Sequence, residues 1–159
     1  MGTTAKTNVM RILDQARISY RIHEYSSEDG AVDGISAAHK MGVPEEKVYK
    51  TLVTKGAKDY FVFVIPVASE LDLKAAARAV GEKAVAMIPV KDLLKVTGYI
   101  RGGCSPIGMK KAFRTTIDRS CQALETMLVS AGKIGHQIEI APADLMKQTH
   151  AQMAEIIES

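Results

Sequence analysis

Val48-Tyr49-Lys50-Thr51-Leu52-Val53-Thr54 and Tyr60-Phe61-Val62-Phe63-Val64-Ile65-Pro66-Val67 are the clearest strand sequences in the chain. The first is rich in β-branched residues. The second is almost continuously apolar, as a strand covered on both faces must be. Lys55 to Asp59, with Gly56 inside it, joins them as a hairpin-type loop. Strands this apolar need layers on both sides, and the flanking sequence supplies helices without strict β-α-β alternation. The expected fold is therefore mixed α/β: a mixed sheet or distorted barrel flanked by helices.

Moving toward the N-terminus, Pro44 with Glu45 and Glu46 reads as a helix start, and Ile35 to Met41 as a helix stopped by Gly42. Ser26 to Gly34 is an acidic, glycine-bearing loop. Ile18 to Tyr25 reads as a strand, and Thr7 as the N-cap of a helix with Val9, Ile12, Leu13 and Ala16 on one face. Toward the C-terminus, helices are expected at Asp72 to Val80, Pro89 to Val96 and Pro142 to Ile157. Strands are expected at Ala84 to Ile88, Phe113 to Asp118, Thr126 to Val129 and His136 to Ala141. No internal repeat or linker interrupts the pattern, so residues 1–159 are expected to form one domain.

Composition narrows the function classes. Apolar residues at 47% and charged residues at 25% are globular values, and no stretch has the length of a membrane span. Met1-Gly2-Thr3-Thr4-Ala5-Lys6-Thr7 lacks the apolar core of a secretion signal, so a soluble cytoplasmic protein is expected. Cys104 and Cys121 form no framework and nothing has metal spacing; free thiols, no metal and no cofactor are expected. The net charge of +3 is unevenly spread. Residues 91–119 hold seven bases and two acids, a local +5 that leaves −2 elsewhere. Such clustering favours an anionic partner, a phosphate or a nucleic-acid backbone, although a solvated charged face has the same composition.

That basic region surrounds Gly98-Tyr99-Ile100-Arg101-Gly102-Gly103-Cys104-Ser105-Pro106-Ile107-Gly108, with four glycines and a proline in eleven residues. Glycine lets a ligand approach the main-chain N–H groups closely, so the loop is a candidate pocket wall. Ser130-Ala131-Gly132-Lys133-Ile134-Gly135, between two expected strands, offers backbone donors of the same kind, or is an ordinary turn. It lacks the spacing of a P-loop. Lys50 shares its strand face with Val48 and Leu52, which implies either a cavity or an edge strand guarded by a charge. His23, His39, His136 and His150 are scattered, and no nucleophile elbow is present. Cys104 has no neighbouring base in sequence to activate it.

Three segments, Val48-Tyr49-Lys50-Thr51-Leu52, Gly98 to Gly108 and Ser130 to Gly135, in this order and spacing, resemble the signatures of the YbaK/EbsC family of aminoacyl-tRNA deacylases. Ile22-His23-Glu24-Tyr25 and Leu71-Asp72-Leu73-Lys74 extend the likeness over essentially the whole chain. The resemblance implies the fold of editing domains associated with prolyl-tRNA synthetase. It also implies hydrolysis of mischarged tRNA after release from the synthetase, with Cys-tRNA(Pro) or Cys-tRNA(Cys) as substrate and alanine as the alternative amino acid. It implies that the substrate's own thiol attacks the ester, and that no cofactor is needed. Lys50 matches the family's essential lysine; Tyr25, Thr51, Gly102, Gly103, Ser130 and Gln137 fall at pocket positions. Arg101, Lys110, Lys111 and Lys133 would follow the acceptor-stem phosphates, and prolyl-tRNA synthetase would be a transient partner. Where some cysteine-specific members carry an aspartate this chain has Gln137, an amide that can hydrogen-bond but not act as a base. A non-catalytic module binding nucleotides or RNA ends is the competing reading from a different class.

Overall fold

The computed structural model describes residues 5–159; the first four residues of the segment read above for a secretion signal lie outside them. The elements are α1 (Asn8–Gln15), β1 (Arg21–Glu24), α2 (Gly34–Met41), β2 (Tyr49–Lys55), β3 (Tyr60–Pro66), α3 (Leu73–Val80), β4 (Ala86–Met87), α4 (Val90–Thr97), β5 (Arg114–Asp118), β6 (Met127–Lys133), β7 (His136–Ile140), α5 (Pro142–Thr149) and β8 (Gln152–Ala154). The fold is mixed α/β, as expected. Its strands form two sheets, however, where the sequence suggested one mixed sheet or a distorted barrel. The five-stranded sheet has the order β4-β2-β3-β5-β8, and the three-stranded sheet the order β1-β7-β6. An isolated parallel bridge between Val48 and Leu128 links them.

The β2–β3 hairpin is the frame. Antiparallel pairing runs from Tyr49 opposite Pro66 to Lys55 opposite Tyr60, and Phe61 to Ile65 are all buried. One face of β3 packs Phe61, Phe63 and Ile65 under Ala76, Ala77 and Val80 of α3. The other face sends Val62 and Val64 into the main core with Val9, Met10 and Leu13 of α1 and with Val129 and Ile138 of the smaller sheet. Burial on both faces is the reason β3 has no polar alternation. Helix starts follow local chemistry: Thr7, Asp33 and Asp72 accept from backbone N–H groups at the heads of α1, α2 and α3.

Several boundaries differ from expectation, the strand read from Ile18 to Tyr25 being confined to Arg21–Glu24 and that from Ala84 to Ile88 to Ala86–Met87. Pro44 precedes only a three-residue 3-10 turn, Glu45–Lys47, because β2 pairing begins at once. The strand expected to stop at Val129 continues to Lys133, with Ala131 and Gly132 as extra residues between the pairs Ser130–Gln137 and Lys133–His136. The last helix ends at Thr149, where His150 takes a left-handed φ of 54°. Beyond it β8 pairs in parallel with β5. Gln152 donates to Ala79 O at 2.8 Å and to Thr116 Oγ1 at 3.0 Å, and Ile156 N donates to Asp118 Oδ1 at 3.1 Å. The free edge of β5 and the buried Asp118 carboxylate offer these tertiary bonds, and helical propensity alone cannot compete with them.

Candidate functional site

The glycine loop and the β6–β7 turn meet. A Cβ placed on Gly103 would lie 3.1 Å from Ile134 N and 3.3 Å from Lys133 C, so only a glycine lets these two backbones approach so closely. Gly135, at φ 88°, has Tyr25 O 2.9 Å from the position of its missing Cβ, and its own carbonyl accepts from Tyr25 N at 2.9 Å. The end of β1, the turn and the glycine loop thus form one continuous backbone surface. Ser130 and Gln137 are register partners on β6 and β7, so their side chains share a face, and His23 of β1 continues the row. Ser130 Oγ accepts from Gly132 N at 3.1 Å, which fixes the extra loop of β6.

Lys50 approaches from the larger sheet. The pairing of β4 with β2 reaches only Thr54 and Lys55, so β2 is an unpaired edge at the level of Lys50. The Val48–Leu128 bridge is parallel and joins the edges of β2 and β6; Lys50 and Ser130 each stand two residues beyond it on their strands. Lys50 is half-buried and makes no hydrogen bond or ion pair among the described residues. The edge-strand reading of Lys50 therefore holds. Thr51 lies on the opposite face of β2, with Tyr49 and Val53. Among the described residues, the buried side-chain oxygens and nitrogens without a hydrogen-bond partner are Thr51 Oγ1 and Gln137 Oε1. Native chains rarely leave such atoms bare unless a ligand or water completes them.

The outer bases are divided. Arg101 adjoins Gly102, and the backbone of Lys133 touches Gly103; both side chains are exposed. The Lys110 side chain covers Gly98 and donates to Lys95 O at 3.4 Å. Lys111 sits apart, in a surface depression of about 480 Å³ with Lys58, Tyr60, Phe113 and Arg114. A second depression, bordered by Lys6, Asp14 and Tyr20, also lies away from Lys50 and the glycine wall. Burial pushes the Cys104 thiol up to about 12, so it holds its proton and is no nucleophile at neutral pH. Cys121 is buried with its Sγ 3.6 Å from Met153 Sδ, and both cysteines are free. Among the described residues no cluster of His, Cys, Asp or Glu has the makings of a metal site, and no helix is long and apolar enough to cross a membrane.

Two features escaped the sequence. One is the Glu139 hub: Oε1 pairs with His23 Nε2 at 2.8 Å, while Oε2 accepts from Lys47 Nζ at 3.1 Å and from the Thr126 hydroxyl. The hydroxyl of Thr126 is the first cause, with His23 and Lys47 behind it, that brings the Glu139 carboxyl down to about 2. The other is Lys40, whose ammonium gathers oxygens from the loop after Tyr25. Their partners lie as much as 116 positions apart in sequence, and no local spacing announces them.

Comparisons with known proteins place this geometry. Residues 30–148 match the aminoacyl-tRNA editing domain. Over 155 residues, 97% of this chain and 94% of the relative, the sequence is 46% identical to an Enterococcus faecalis protein provisionally named Cys-tRNA(Pro)/Cys-tRNA(Cys) deacylase EbsC. A 70-residue stretch, 44% of this chain, is 33% identical to part of the proline–tRNA ligase of Fervidobacterium nodosum and spans 12% of that enzyme. A crystal structure described provisionally as a trans-editing enzyme for prolyl tRNA synthetase superposes with a TM-score of 0.83 at 21% identity, covering 98% of this chain and all of the other; this likeness bears on the fold. With the family match over most of its length and a near full-length relative at that identity, the chain belongs to the aminoacyl-tRNA editing domain family.

Proposed function

We propose that this editing domain is a free-standing deacylase for Cys-tRNA(Pro), acting after the synthetase has released its product. The observation that carries the reading is Lys50: half-buried, its ammonium without a hydrogen-bond or ion-pair partner among the described residues, on the unpaired edge of the strand that a bridge ties to the Ser130 strand, while Cys104 in the glycine loop is held protonated by burial. Such a site is suited to hold and polarise an ester that supplies its own nucleophile. The near full-length likeness to a protein named for cysteine removal supports the choice of amino acid.

In this reading the cysteinyl thiol gives up its proton and its sulfur bonds to the ester carbonyl carbon. The bond from that carbon to the ribose 3′ oxygen breaks, the 3′ oxygen takes the proton, and water opens the resulting thiolactone to free cysteine. Lys50 anchors the terminal adenosine through its phosphate or ribose, or faces the oxygen on which negative charge develops. Gly102 and Gly103 supply the wall against the carbonyl, and Tyr25 and Ser130 border the aminoacyl group. Gln137 contributes an oxygen that lacks a donor among the described residues, Thr51 backs the strand from its opposite face, and Arg101, Lys133 and Lys110 meet acceptor-end phosphates, with Lys111 furthest out. Prolyl-tRNA synthetase is the natural source of the mischarged substrate and a transient partner in handing it over. A second checking site answers a real need, since a pocket for proline excludes cysteine and alanine poorly by size.

The test is a side-by-side discharge of tRNA(Pro) carrying cysteine, serine or alanine. Cysteine is expected to leave fastest. Serine leaving as fast as cysteine would defeat thiol assistance, and preferred release of alanine would transfer the assignment to Ala-tRNA(Pro), a reading that Gln137 favours by lacking a carboxylate. Absence of any catalytic turnover would return the chain to the class of RNA-end binding modules.

A further inference from the structure

The segment between Tyr25 and Asp33 is a strap tied down at one point. Lys40 Nζ, rising from α2, donates to Ser26 O at 2.8 Å, Asp29 Oδ1 at 2.6 Å and Ala31 O at 2.9 Å, and stands 5.9 Å from the centre of the Tyr25 ring. Within the strap, Gly30 N donates to Ser27 O and Ala31 N to Asp29 Oδ1, both at 3.0 Å. One end is Tyr25, bonded to Gly135 O. Near the other, Val32 Cγ2 lies 3.1 Å from where a Cβ on Gly102 would sit. α2 itself is fixed: Ala37 and Ala38 are buried, and the missing Cβ of Gly34 would fall 2.1 Å from Val67 Cγ1. Lys40 thus transfers the position of a packed helix to a loop that runs from Tyr25 to the glycine wall.

We propose that Lys40 is a positioning residue for the aminoacyl pocket, and that the strap it holds sets Val32 against Gly102 as the side chain limiting the size of the amino acid admitted. This rests on the deacylase reading above. The clamp contributes little to global stability, because its ion pair is with Asp29, whose side chain is 60% exposed. Its effect is local order: two of the three acceptors are carbonyls of a loop with no strand or helix of its own.

Lys40→Met keeps the stem and removes the charge; Lys40→Arg keeps the charge; Asp29→Asn weakens the clamp from the solvent side. Three readouts apply to each: cleavage after the exposed Glu28 by a glutamyl endopeptidase, KM and kcat with Cys- and Val-charged tRNA, and Tm. Lys40→Met is expected to speed strap cleavage and raise KM for the cysteinyl substrate, each by roughly tenfold, with kcat within about threefold. Preference for cysteine over valine should fall and Tm move by less than about 3 °C. Arg at position 40 should restore most of the loss, and Asp29→Asn should reproduce part of it. Unchanged strap cleavage would overturn the proposal, as would an unchanged KM in a strap shown to be loose, or equal losses in the Met and Arg variants that track Tm. Tighter substrate binding by Asp29→Asn would also overturn it, by making Lys40 a phosphate contact. Should the wild-type chain discharge no tRNA, the function proposed above fails, while the proteolysis arm still decides whether Lys40 holds the strap.

Discussion

Glu139 and Gln137 stand two residues apart on the same face of β7, both largely hidden from solvent, and their surroundings treat them in opposite ways. Around Glu139 the fold gathers an imidazole, an ammonium and a hydroxyl from three other segments. Among the described residues none donates to Gln137 Oε1, and on the neighbouring sheet none donates to Thr51 Oγ1. A chain able to surround one buried acceptor so fully has the means to satisfy another. The difference separates a carboxylate fully engaged by the fold from two oxygens to which the described residues offer no donor.

Substitutions test that contrast most sharply at Lys50, half-buried and likewise without a side-chain partner among the described residues. Lys50→Ala is expected to lower kcat/KM for aminoacyl-tRNA discharge by about a hundredfold or more, with the folded state unchanged by thermal melting. Full activity would remove Lys50 from the reaction. Next in size, Glu139→Gln should destabilise the fold by on the order of 2 kcal/mol in a denaturant titration, since His23 and Lys47 lose their carboxylate.

The same group gives a pH signature. Its carboxyl is lowered from 4.5 to about 2, so its contribution is complete above the unfolded value and is lost as the pH falls from there toward 2. Glu139→Gln should flatten that acid limb; an unaltered pH profile would show that the hub adds nothing. Gln137→Leu should do the reverse of Glu139→Gln, leaving Tm level or higher while cutting kcat/KM roughly tenfold, because an unpartnered carbonyl is removed from the core. The smallest effect is expected for Thr51→Val, neutral in stability to within about 1 kcal/mol, because its buried hydroxyl has no partner among the described residues. If Gln137→Leu and Thr51→Val both melted the protein, the contrast with Glu139 would be void.

Local chemistry carried much of the fold into view. The β2–β3 hairpin, the cap at Thr7 and the stop at Gly42 all follow from residues within a turn of where they act. The end of α5 did not, because β8 depends on Asp118, Thr116 and Ala79 reaching it from far upstream. Of the candidate site, the glycine loop and the turn were visible as compositions, but that Gly103 lies on Ile134 is a fact of tertiary approach. Lys50 was conspicuous for its charge among apolar neighbours. Lys40 was not, since a lysine near the C-terminus of a helix is an ordinary choice and its three acceptors lie nine to fourteen residues away.

The link between the two sheets through Val48 and Leu128 has an evolutionary corollary. No ladder runs between β2 and β6 beyond that bridge, so hydrogen-bond register does not fix the gap separating Lys50 from Ser130. The spacing is set instead by how Ala38, Val48, Val67 and Leu128 fill the small core behind it. A methyl group gained or lost there would widen or narrow the mouth while both ladders and every polar group stayed in place. The width of that gap is thereby left to apolar residues behind it, which gives a lineage room to change it without rebuilding either sheet.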